Sequence, residues 1–215
     1  MYIVSWLWSQ KGSWPKYTPE DIYRLKQMVE ENTTVPHTFI CFHDGSFGPL
    51  EVESYPLPQI PFKSNRWPES KYPQCFNRLW CFTEECWLPR FISIDADCLI
   101  TGNIDHILNR KEDFVINKGS KKNGYSGSMW LLEPGTRPIE PTQELIDTAC
   151  KKYTGSDQAV IRYCYPNEKM FEPRHGIYHY HYWKKDYLPE DCKIMFFAGR
   201  NKAKDLSHEW LRTYY

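Results

Sequence analysis

The chain has 215 residues, enough for one domain with a sizeable hydrophobic core. Its 27 lysines and arginines balance 27 aspartates and glutamates, so the zero formal charge excludes a general attraction to nucleic acid or to an anionic membrane. No apolar stretch approaches the roughly 18 residues of a membrane span, and the N-terminal MYIVSWLW lacks the basic region of a secretory signal. The 8 cysteines form no CxxC pair, which argues against a zinc ribbon and favours reduced, mostly buried thiols in a cytoplasmic protein.

The first elements along the chain predict a β–α–β unit. The β-rich run YIVSWLW precedes TPEDIYRLKQMVEEN (18–32), which has Thr18 as N-cap, Pro19 at its first helical position and acids in its first turn. HTFICF (37–42) is the second strand, and Asp44 follows it closely. A strand, a helix and a strand in this order predict two parallel strands joined by a right-handed crossover.

The rest of the chain continues this alternation. Residues 46–73 are rich in proline, serine and glycine and are predicted to form an irregular connection. The later segments are predicted as a helix (74–86), strands (90–94, 114–118 and 126–134), two helices (141–153 and 156–165), strands (177–183 and 193–199) and a short helix (206–215). Strands that alternate with helices predict an α/β fold with a mostly parallel central sheet flanked by helices.

Two carboxylates follow the apolar strand RFISI. Asp95 and Asp97 are two residues apart, so in an extended segment both face one side while Ala96 faces the other. They come at the carboxyl end of a strand that we expect to be central, where open α/β sheets bind ligands. Two hard oxygen donors suit Mg²⁺ or Mn²⁺, with water and phosphate oxygens completing the coordination. The alternative is an ordinary solvated turn.

A histidine pair lies in the alternating segment IYHYHYW. On the predicted strand His179 and His181 share one face, a spacing that can bind a transition metal. Packing on a half-exposed strand is the preferred interpretation, because tyrosines alternate with the histidines and would cover the other face. Most other aromatic residues are likewise assigned to packing, with Trp8 and Tyr17 as exceptions.

Five segments of the chain, taken together in their order and spacing, form a recognisable pattern. They are KYTPEDIYRLKQMVEENTTVPHTFICFHDG, a helix ending in NRLWCF, RFISIDADCLITGNIDHIL, GYSGSMWLLEPG and GSDQAVI. In that order they resemble the GT-A-fold glycosyltransferases, most closely the compact bacterial and phage type related to the glycogenin-like (GT8) enzymes. The resemblance implies a single Rossmann-like GT-A domain over 1–215, in which about 1–105 bind the nucleotide sugar and about 106–215 the acceptor.

The resemblance also implies roles for individual residues. Asp95 and Asp97 would hold Mn²⁺ or Mg²⁺ and the diphosphate of a nucleotide-diphosphate sugar. Asp157 and Gln158 would be the catalytic residues near the donor sugar and the acceptor, although Asp157 can equally cap a helix. The implied donor-binding residues are Trp8, Lys16, Tyr17, Asp44, Arg78, Asp95, Gly127, Ser128, Gly199, Lys202 and Lys204. The alternatives are packing for Tyr17, a surface ion pair for Arg78 and an ordinary turn for Asp44.

One position departs from the family pattern. Relatives commonly end the domain with Phe-His-Gly, whose histidine is the third protein ligand of the metal, whereas this chain has Ala198 at that place. Alanine cannot bind a metal. Either the two aspartates act with water and phosphates alone, or His179, His181 or His208 substitutes, or metal use has been lost.

These features predict a metal-dependent glycosyltransferase that moves a sugar from a nucleotide-diphosphate sugar to an acceptor hydroxyl. The acceptor is a glycan, a protein or a modified DNA base, and a phage-encoded enzyme would act in the host cytoplasm. One alternative is a nucleotidyltransferase that makes nucleotide sugars, although SQKGSWPK is a poor version of its phosphate loop. Another is an inactive GT-A-like module that binds carbohydrate or a partner.

Overall fold

Strands and helices alternate through the part of the chain that the computed structural model describes, residues 1–9, 17–62, 74–119, 124–183, 185–197, 203 and 206–214. The strands are β1 (Tyr2–Leu7), β2 (Thr38–His43), β3 (Glu53–Pro56), β4 (Phe91–Ile94), β5 (Cys98–Ile100), β6 (Phe114–Lys118), β7 (Tyr125–Leu132), β8 (Met170–Phe171), β9 (Ile177–His179) and β10 (Ile194–Phe196). The α-helices are α1 (Pro19–Glu31), α2 (Asp105–Leu108), α3 (Gln143–Lys152), α4 (Asp157–Cys164) and α5 (Tyr180–Trp183). Three segments form 3₁₀ helices: Cys75–Phe82, Pro173–His175 and Glu209–Thr213.

Seven strands form one sheet in the order β3-β2-β1-β4-β7-β6-β8. The first four run parallel to one another, β7 runs antiparallel between β4 and β6, and β6 and β8 again point in the direction of β4. The predicted β–α–β unit is confirmed, because β1 and β2 are parallel neighbours joined through α1. The predicted α/β fold with a mostly parallel central sheet is confirmed as well.

The first helix is positioned by its cap and its apolar face. Pro19 is the first helical residue, and the backbone N–H of Thr18 donates to the Asp21 carboxylate at 2.9 Å, which fixes the start of the helix. The fully buried residues of the apolar face are Ile22, Leu25 and Val29. They share one hydrophobic core with residues of β1 and β4, so burial holds α1 on the sheet that carries the site.

A second, three-stranded sheet has the order β5-β10-β9. The middle strand β10 is antiparallel to β5 and parallel to β9. Since β5 begins at Cys98, directly after the two acids, this sheet fixes the chain on their far side. The backbone N–H of Phe197 donates to the Asp97 carbonyl at 2.8 Å, which ties the end of β10 to the acidic segment.

Three predicted elements differ from the observed ones. The connection 46–73 was expected to be irregular, yet Glu53–Pro56 forms the edge strand β3, paired with β2, while 63–73 lies outside the described residues. The segment 74–86 was expected to be an α-helix with one buried side. It is instead a 3₁₀ helix over Cys75–Phe82 in which every residue from 76 to 82 is buried, so packing on all sides replaces the one-sided pattern.

The third difference concerns IYHYHYW. It was expected to be one strand, but only Ile177–His179 pairs with β10, and the chain then turns into the short helix α5. The prediction that His179 and His181 share one strand face is therefore wrong, because strand alternation ends between them.

Two expectations from composition concern the cysteines and the helices. All 8 cysteines lie among the described residues and are free thiols, most of them buried. Within the described ranges, no helix has both the length and the apolar character needed to cross a membrane.

Candidate active site

The candidate site lies at the edge of the sheet where the parallel strands end. β1, β2, β4 and β6 point the same way, so Trp8, Asp44 and Asp95, which follow the first three, come to one edge. The antiparallel β7 begins at this edge and brings Gly127 and Ser128 beside β4, where the backbone N–H of Asp95 donates to the Ser128 carbonyl at 2.8 Å. Ligands of open α/β sheets bind at this kind of edge.

A buried arginine joins two of the predicted acids. Arg78 Nη1 lies 2.5 Å from Asp95 Oδ1, and Arg78 Nη2 lies 2.9 Å from Asp157 Oδ2. The arginine and Asp157 side chains are 4% and 0% exposed, whereas the Asp95 side chain is 30% exposed. The guanidinium also lies 4.9 Å from the centre of the Trp130 ring. Arg78 is therefore an interior cation with two anionic partners, and its predicted alternative as a surface ion pair is wrong.

Asp95 and Asp157 keep Arg78 protonated. Burial alone would lower the pKa of Arg78, but the negative charges of Asp157 and Asp95 outweigh it and raise the pKa. The Asp157 carboxylate is itself oriented, because Ser156 Oγ donates to Asp157 Oδ1 at 2.7 Å. A protonated guanidinium thus neutralises part of the negative charge at the start of the D-x-D segment.

Gly127 is the position where the network meets the sheet. A Cβ built at Gly127 would lie 2.8 Å from Arg78 Nη2 and 2.9 Å from Gln158 Oε1, closer than a Cβ atom approaches non-bonded atoms. Glycine is needed here so that the guanidinium and the Gln158 amide can lie directly against the β7 backbone. Ser128 is buried, and its Oγ accepts from Asn117 Nδ2 at 2.9 Å, so this serine links β7 to β6.

The second acid of the pair has a different partner. The Tyr17 hydroxyl donates to Asp97 Oδ2 at 3.1 Å, so the residue before α1 reaches the D-x-D segment across the sheet edge. Burial and the charges of Asp97 and Asp95 raise the pKa of Tyr17, which keeps the phenol protonated as a donor. The segment between the acids bends instead of staying extended, so strand alternation does not set their directions.

Asp44 connects two loops at the nucleotide end of the expected site. Its Oδ2 accepts from the backbone N–H and the hydroxyl of Ser9 at 2.8 and 2.9 Å, and its Oδ1 accepts from the Ser46 N–H at 3.0 Å. Partial burial acts to raise the pKa of Asp44, but these hydrogen bonds outweigh it and lower the pKa. Trp8 lies close by in sequence, and its buried indole Nε1 has no hydrogen-bond partner among the described residues.

Several predicted residues fall outside the described ranges. They are Lys16, Ala198, Gly199, Lys202 and Lys204. The predicted donor-binding roles of Lys16, Gly199, Lys202 and Lys204 stay predictions, as does the missing metal ligand at Ala198.

The two histidines of IYHYHYW have different surroundings. His179 lies in β9 with its Nε2 buried, whereas His181 is exposed on α5. Burial lowers the pKa of His179 to about 4, although the negative charge of Asp97 and a backbone hydrogen bond at Lys118 act in the other direction. His179 is consequently neutral near pH 7, and it is close enough to the D-x-D segment to sense the charge of Asp97.

The described residues offer a divalent metal two carboxylates. No group of three or more histidine, cysteine, aspartate or glutamate side chains able to hold a metal ion occurs in the described ranges. Asp95 and Asp97 are two residues apart in the bend that follows β4, so both belong to the same edge of the sheet. Two hard oxygen ligands fit Mg²⁺ or Mn²⁺ when substrate phosphates and water supply the remaining positions.

The sequence predicted most of the residues at this edge, but it did not predict which of their side chains form ion pairs with each other. The link between Arg78 and Asp157 spans segments far apart in the chain, and a single arginine in the apolar run CFNRLWCF was the only signal for it. A charged residue within a run of otherwise buried apolar residues needs a buried counter-charge, and that rule would have directed attention to Arg78.

The strand order, the second sheet and the acids after β4 together define the class of fold, which is that of the GT-A glycosyltransferases. The galactosyltransferase LgtC, solved with donor and acceptor sugar analogs, matches with a TM-score of 0.65 and 9% identity over 100% of this chain and 94% of LgtC. The glycosyltransferase GlyE of Streptococcus pneumoniae TIGR4 matches with a TM-score of 0.63 and 12% identity over 99% of this chain and 59% of GlyE.

The bifunctional glycosyltransferase WbbM is a further match, with a TM-score of 0.56 and 9% identity over 94% of this chain and 46% of WbbM. No family model matches the sequence, and no curated protein matches it. At these identities the likeness establishes the fold.

Proposed function

We propose that the protein is a metal-dependent glycosyltransferase, which moves a sugar from a nucleotide-diphosphate sugar to an acceptor hydroxyl. The observation that carries this proposal is the meeting of Asp95, Asp97, Tyr17 and Arg78 at the carboxyl edge of a GT-A sheet. The likeness to LgtC, whose structure holds donor and acceptor sugar analogs, supports the substrate class.

The residues of this edge suit the charge changes of the reaction. The bond between the anomeric carbon and the diphosphate breaks with its electron pair going to the diphosphate, and a bond to the acceptor oxygen forms as that oxygen loses its proton. Negative charge therefore grows on the leaving diphosphate. Asp95 and Asp97 are the residues that would hold Mn²⁺ or Mg²⁺, and such an ion neutralises charge on phosphate oxygens.

Arg78 sets the direction and charge of Asp95. An ion pair at 2.5 Å to a buried guanidinium holds this carboxylate in one orientation, as partners of metal ligands commonly do. Asp157 was predicted to act on the acceptor or the donor sugar. Its side chain has no exposed surface, so we assign it a positioning role that acts through Arg78. Gln158, whose amide lies against Gly127, stays the candidate for direct contact with the donor sugar.

Two other functions predicted from the sequence make different demands. A nucleotidyltransferase needs a basic, glycine-rich phosphate loop after β1, and residues 10–16 of the segment SQKGSWPK lie outside the described residues. An inactive binding module would keep the fold but would not cleave a donor. The likeness to three glycosyltransferases favours the first proposal over the nucleotidyltransferase, and donor cleavage separates it from the inactive module.

The test is donor cleavage by the purified chain. UDP-, GDP-, ADP- and TDP-linked sugars are incubated with Mn²⁺, and release of the nucleoside diphosphate is measured with and without excess chelator. In parallel, Mn²⁺ is titrated calorimetrically into the protein alone and into protein saturated with the released diphosphate. We expect one nucleotide to be preferred, and we expect weak metal binding that the diphosphate tightens markedly, since the described residues offer only two ligands.

A matched pair of variants completes the experiment. Asp97→Asn should lower turnover by about 100- to 1,000-fold through lost electrostatic stabilisation. Asp113→Asn changes an exposed acid at the opposite edge of the sheet, just before β6, and should leave turnover unchanged. Release of pyrophosphate from a nucleoside triphosphate and a sugar phosphate would support the nucleotidyltransferase, and full activity of Asp97→Asn would contradict the assigned role of the D-x-D pair.

A further inference from the structure

A second concave feature lies farther along the same edge of the sheet. A cleft of about 360 Å³ is bounded by residues 117–119 at the end of β6, by 171–173 after β8 and by the segment 177–183 that runs from β9 into α5. Since β6 and β8 point in the direction of β4, the cleft opens at the edge that carries Asp95. Its volume lies in the range of small-molecule sites, roughly 300–1,000 Å³.

Aromatic rings form much of the cleft wall. Tyr178, Tyr182 and Trp183 line it, and the Tyr182 side chain is among the most exposed large aromatic residues of the described chain, at 57%. The Tyr182 ring is held in place by edge contacts with His179 and His181, at 5.8 and 5.1 Å between ring centres. A fixed and exposed ring costs little conformational entropy on binding, so it is suited to contact a ligand.

The charged side chains among the described lining residues of the cleft are one cation and one anion, and they are paired. Lys118 Nζ lies 2.7 Å from Glu172 Oε1, and Glu172 Oε2 lies 3.0 Å from Arg174, an exposed residue outside the lining. Burial keeps the pKa of His179 low, so the imidazole in the cleft adds no charge near pH 7. A phosphorylated or nucleic-acid ligand is favoured by unpaired cations, and the one lysine among the described lining residues is already paired. A neutral ligand with many hydroxyl groups matches it, because ammonium groups donate to hydroxyl oxygens and carboxylates accept from hydroxyls.

We propose that this cleft binds the acceptor as a neutral saccharide, with one sugar ring stacked on Tyr182 and its hydroxyls bonded to Lys118 and Glu172. The C–H face of a sugar ring carries a weak positive potential that complements the negative face of an aromatic ring. His179 lines the cleft and pairs with Phe196 of β10, and the next residue, Phe197, donates its backbone N–H to the Asp97 carbonyl at 2.8 Å, so a saccharide bound there lies near the proposed donor site. The saccharide class deepens the proposed function, and its identification as an acceptor depends on that function.

The test measures saccharide binding without requiring transfer. Maltose, cellobiose, lactose and N,N′-diacetylchitobiose are titrated against the full chain by ligand-observed NMR, alone and with UDP and Mn²⁺. Tyr182→Ala should weaken the Kd of the binding saccharide about tenfold, whereas Tyr182→Phe, which keeps the ring, should bind as the wild type does. Tyr163→Ala removes an exposed tyrosine of α4 that does not line the cleft, and it should leave the Kd unchanged.

The outcomes separate this proposal from the proposed function. A saccharide whose affinity depends on the Tyr182 ring supports the cleft assignment even if no nucleotide sugar is cleaved, and the chain would then be a binding module. Donor cleavage without binding of any of the four disaccharides overturns the cleft proposal and leaves the transferase standing. Equal Kd values for the wild type and Tyr182→Ala, or preferential binding of a single-stranded oligonucleotide that Tyr182→Ala weakens, would also overturn it.

Discussion

Two regions at one edge of the sheet are built in opposite ways. Around Arg78, the buried guanidinium is paired with the partly exposed Asp95 and with Asp157, which has no exposed surface. In the aromatic cleft the charges are paired at the rim, and the large ring of Tyr182 faces solvent. In the first region each charge is paired with another side chain of the protein, whereas in the second an apolar ring surface is exposed to solvent.

This difference indicates what each region can do. Removing one partner of a buried ion pair is strongly destabilising, because the other charge stays buried without compensation. The residues around Arg78 are therefore constrained by the stability of the fold as well as by the chemistry of the site. Exposed rings contribute little to folding and are available to a ligand. Stability measurements should therefore respond most strongly in the first region, and binding measurements should respond in the second.

The largest effect is expected from Arg78→Met. It leaves the Asp157 charge buried without its cation, which should lower the free energy of unfolding by about 3–5 kcal/mol. Urea denaturation without nucleotide measures the change. The control Arg174→Met breaks an ion pair with Glu172 whose arginine is 76% exposed, and it should cost about 1 kcal/mol or less.

A double variant shows whether the uncompensated charge is the cause. Adding Asp157→Asn to Arg78→Met removes the charge that has lost its partner, so a substantial part of the stability should return. A loss below about 1 kcal/mol in Arg78→Met, or a double variant no more stable than the single one, would show that Asp157 does not depend on this arginine.

The next effect concerns pH and the buried imidazole of the cleft. Burial lowers the folded pKa of His179 to about 4, below the ordinary histidine value of 6.5. Between these values the unfolded chain binds a proton that the folded chain does not, so stability is full above pH 6.5 and falls as the pH drops toward 4. At pH 4, this difference in proton binding at His179 has lowered the free energy of unfolding by about 3 kcal/mol.

The pH effect is measured as a difference, because carboxylates titrate in the same range. Unfolding free energies of the wild type and of His179→Phe, which keeps a ring against Phe196, are compared between pH 7.5 and pH 4. The gap between the two proteins should change by about 3 kcal/mol in favour of the variant at low pH. A constant gap would mean that His179 titrates normally and that the cleft is charged in mild acid.

The sequence predicted most of the longer strands and helices, because caps, apolar periodicity and turn residues are local signals. Thr18 with Pro19 fixed the start of α1, and RFISI followed by Asp95 located the end of β4. It did not predict that the 3₁₀ helix carrying Arg78 is buried on all sides, because that depends on packing between distant segments. Nor did local alternation of histidine and tyrosine reveal the turn after His179, since β9 ends where its pairing with β10 ends.

Tyr17→Phe gives the next effect, and it distinguishes two roles for this residue. The family resemblance implied that Tyr17 binds the nucleotide-sugar donor, whereas its hydroxyl donates to Asp97 Oδ2. Removing a hydrogen bond to a metal-binding carboxylate commonly lowers metal affinity or activity by about 10- to 100-fold. We expect a loss of this size in Mn²⁺ affinity, measured by calorimetry with the diphosphate bound. If Tyr17→Phe leaves both the Mn²⁺ affinity and the KM for the donor unchanged, the hydroxyl has no role in metal or donor binding, and only the ring can contribute.

The smallest effect is expected at Asp44, where nucleotide contact and loop positioning predict different patterns. Asp44→Asn removes the charge that accepts from Ser9 and Ser46, and a lost contact common to ground and transition states raises KM while leaving kcat nearly constant. We expect KM for the donor to rise about tenfold, which corresponds to about 1.4 kcal/mol.

Ser9→Ala removes only the hydroxyl bonded to Asp44 Oδ2 and separates the two roles. If Asp44 contacts the nucleotide directly, Ser9→Ala leaves KM near the wild-type value. An equal rise in both variants would instead show that Asp44 acts by holding the loop after β1, and a fall in kcat at constant KM would contradict both roles.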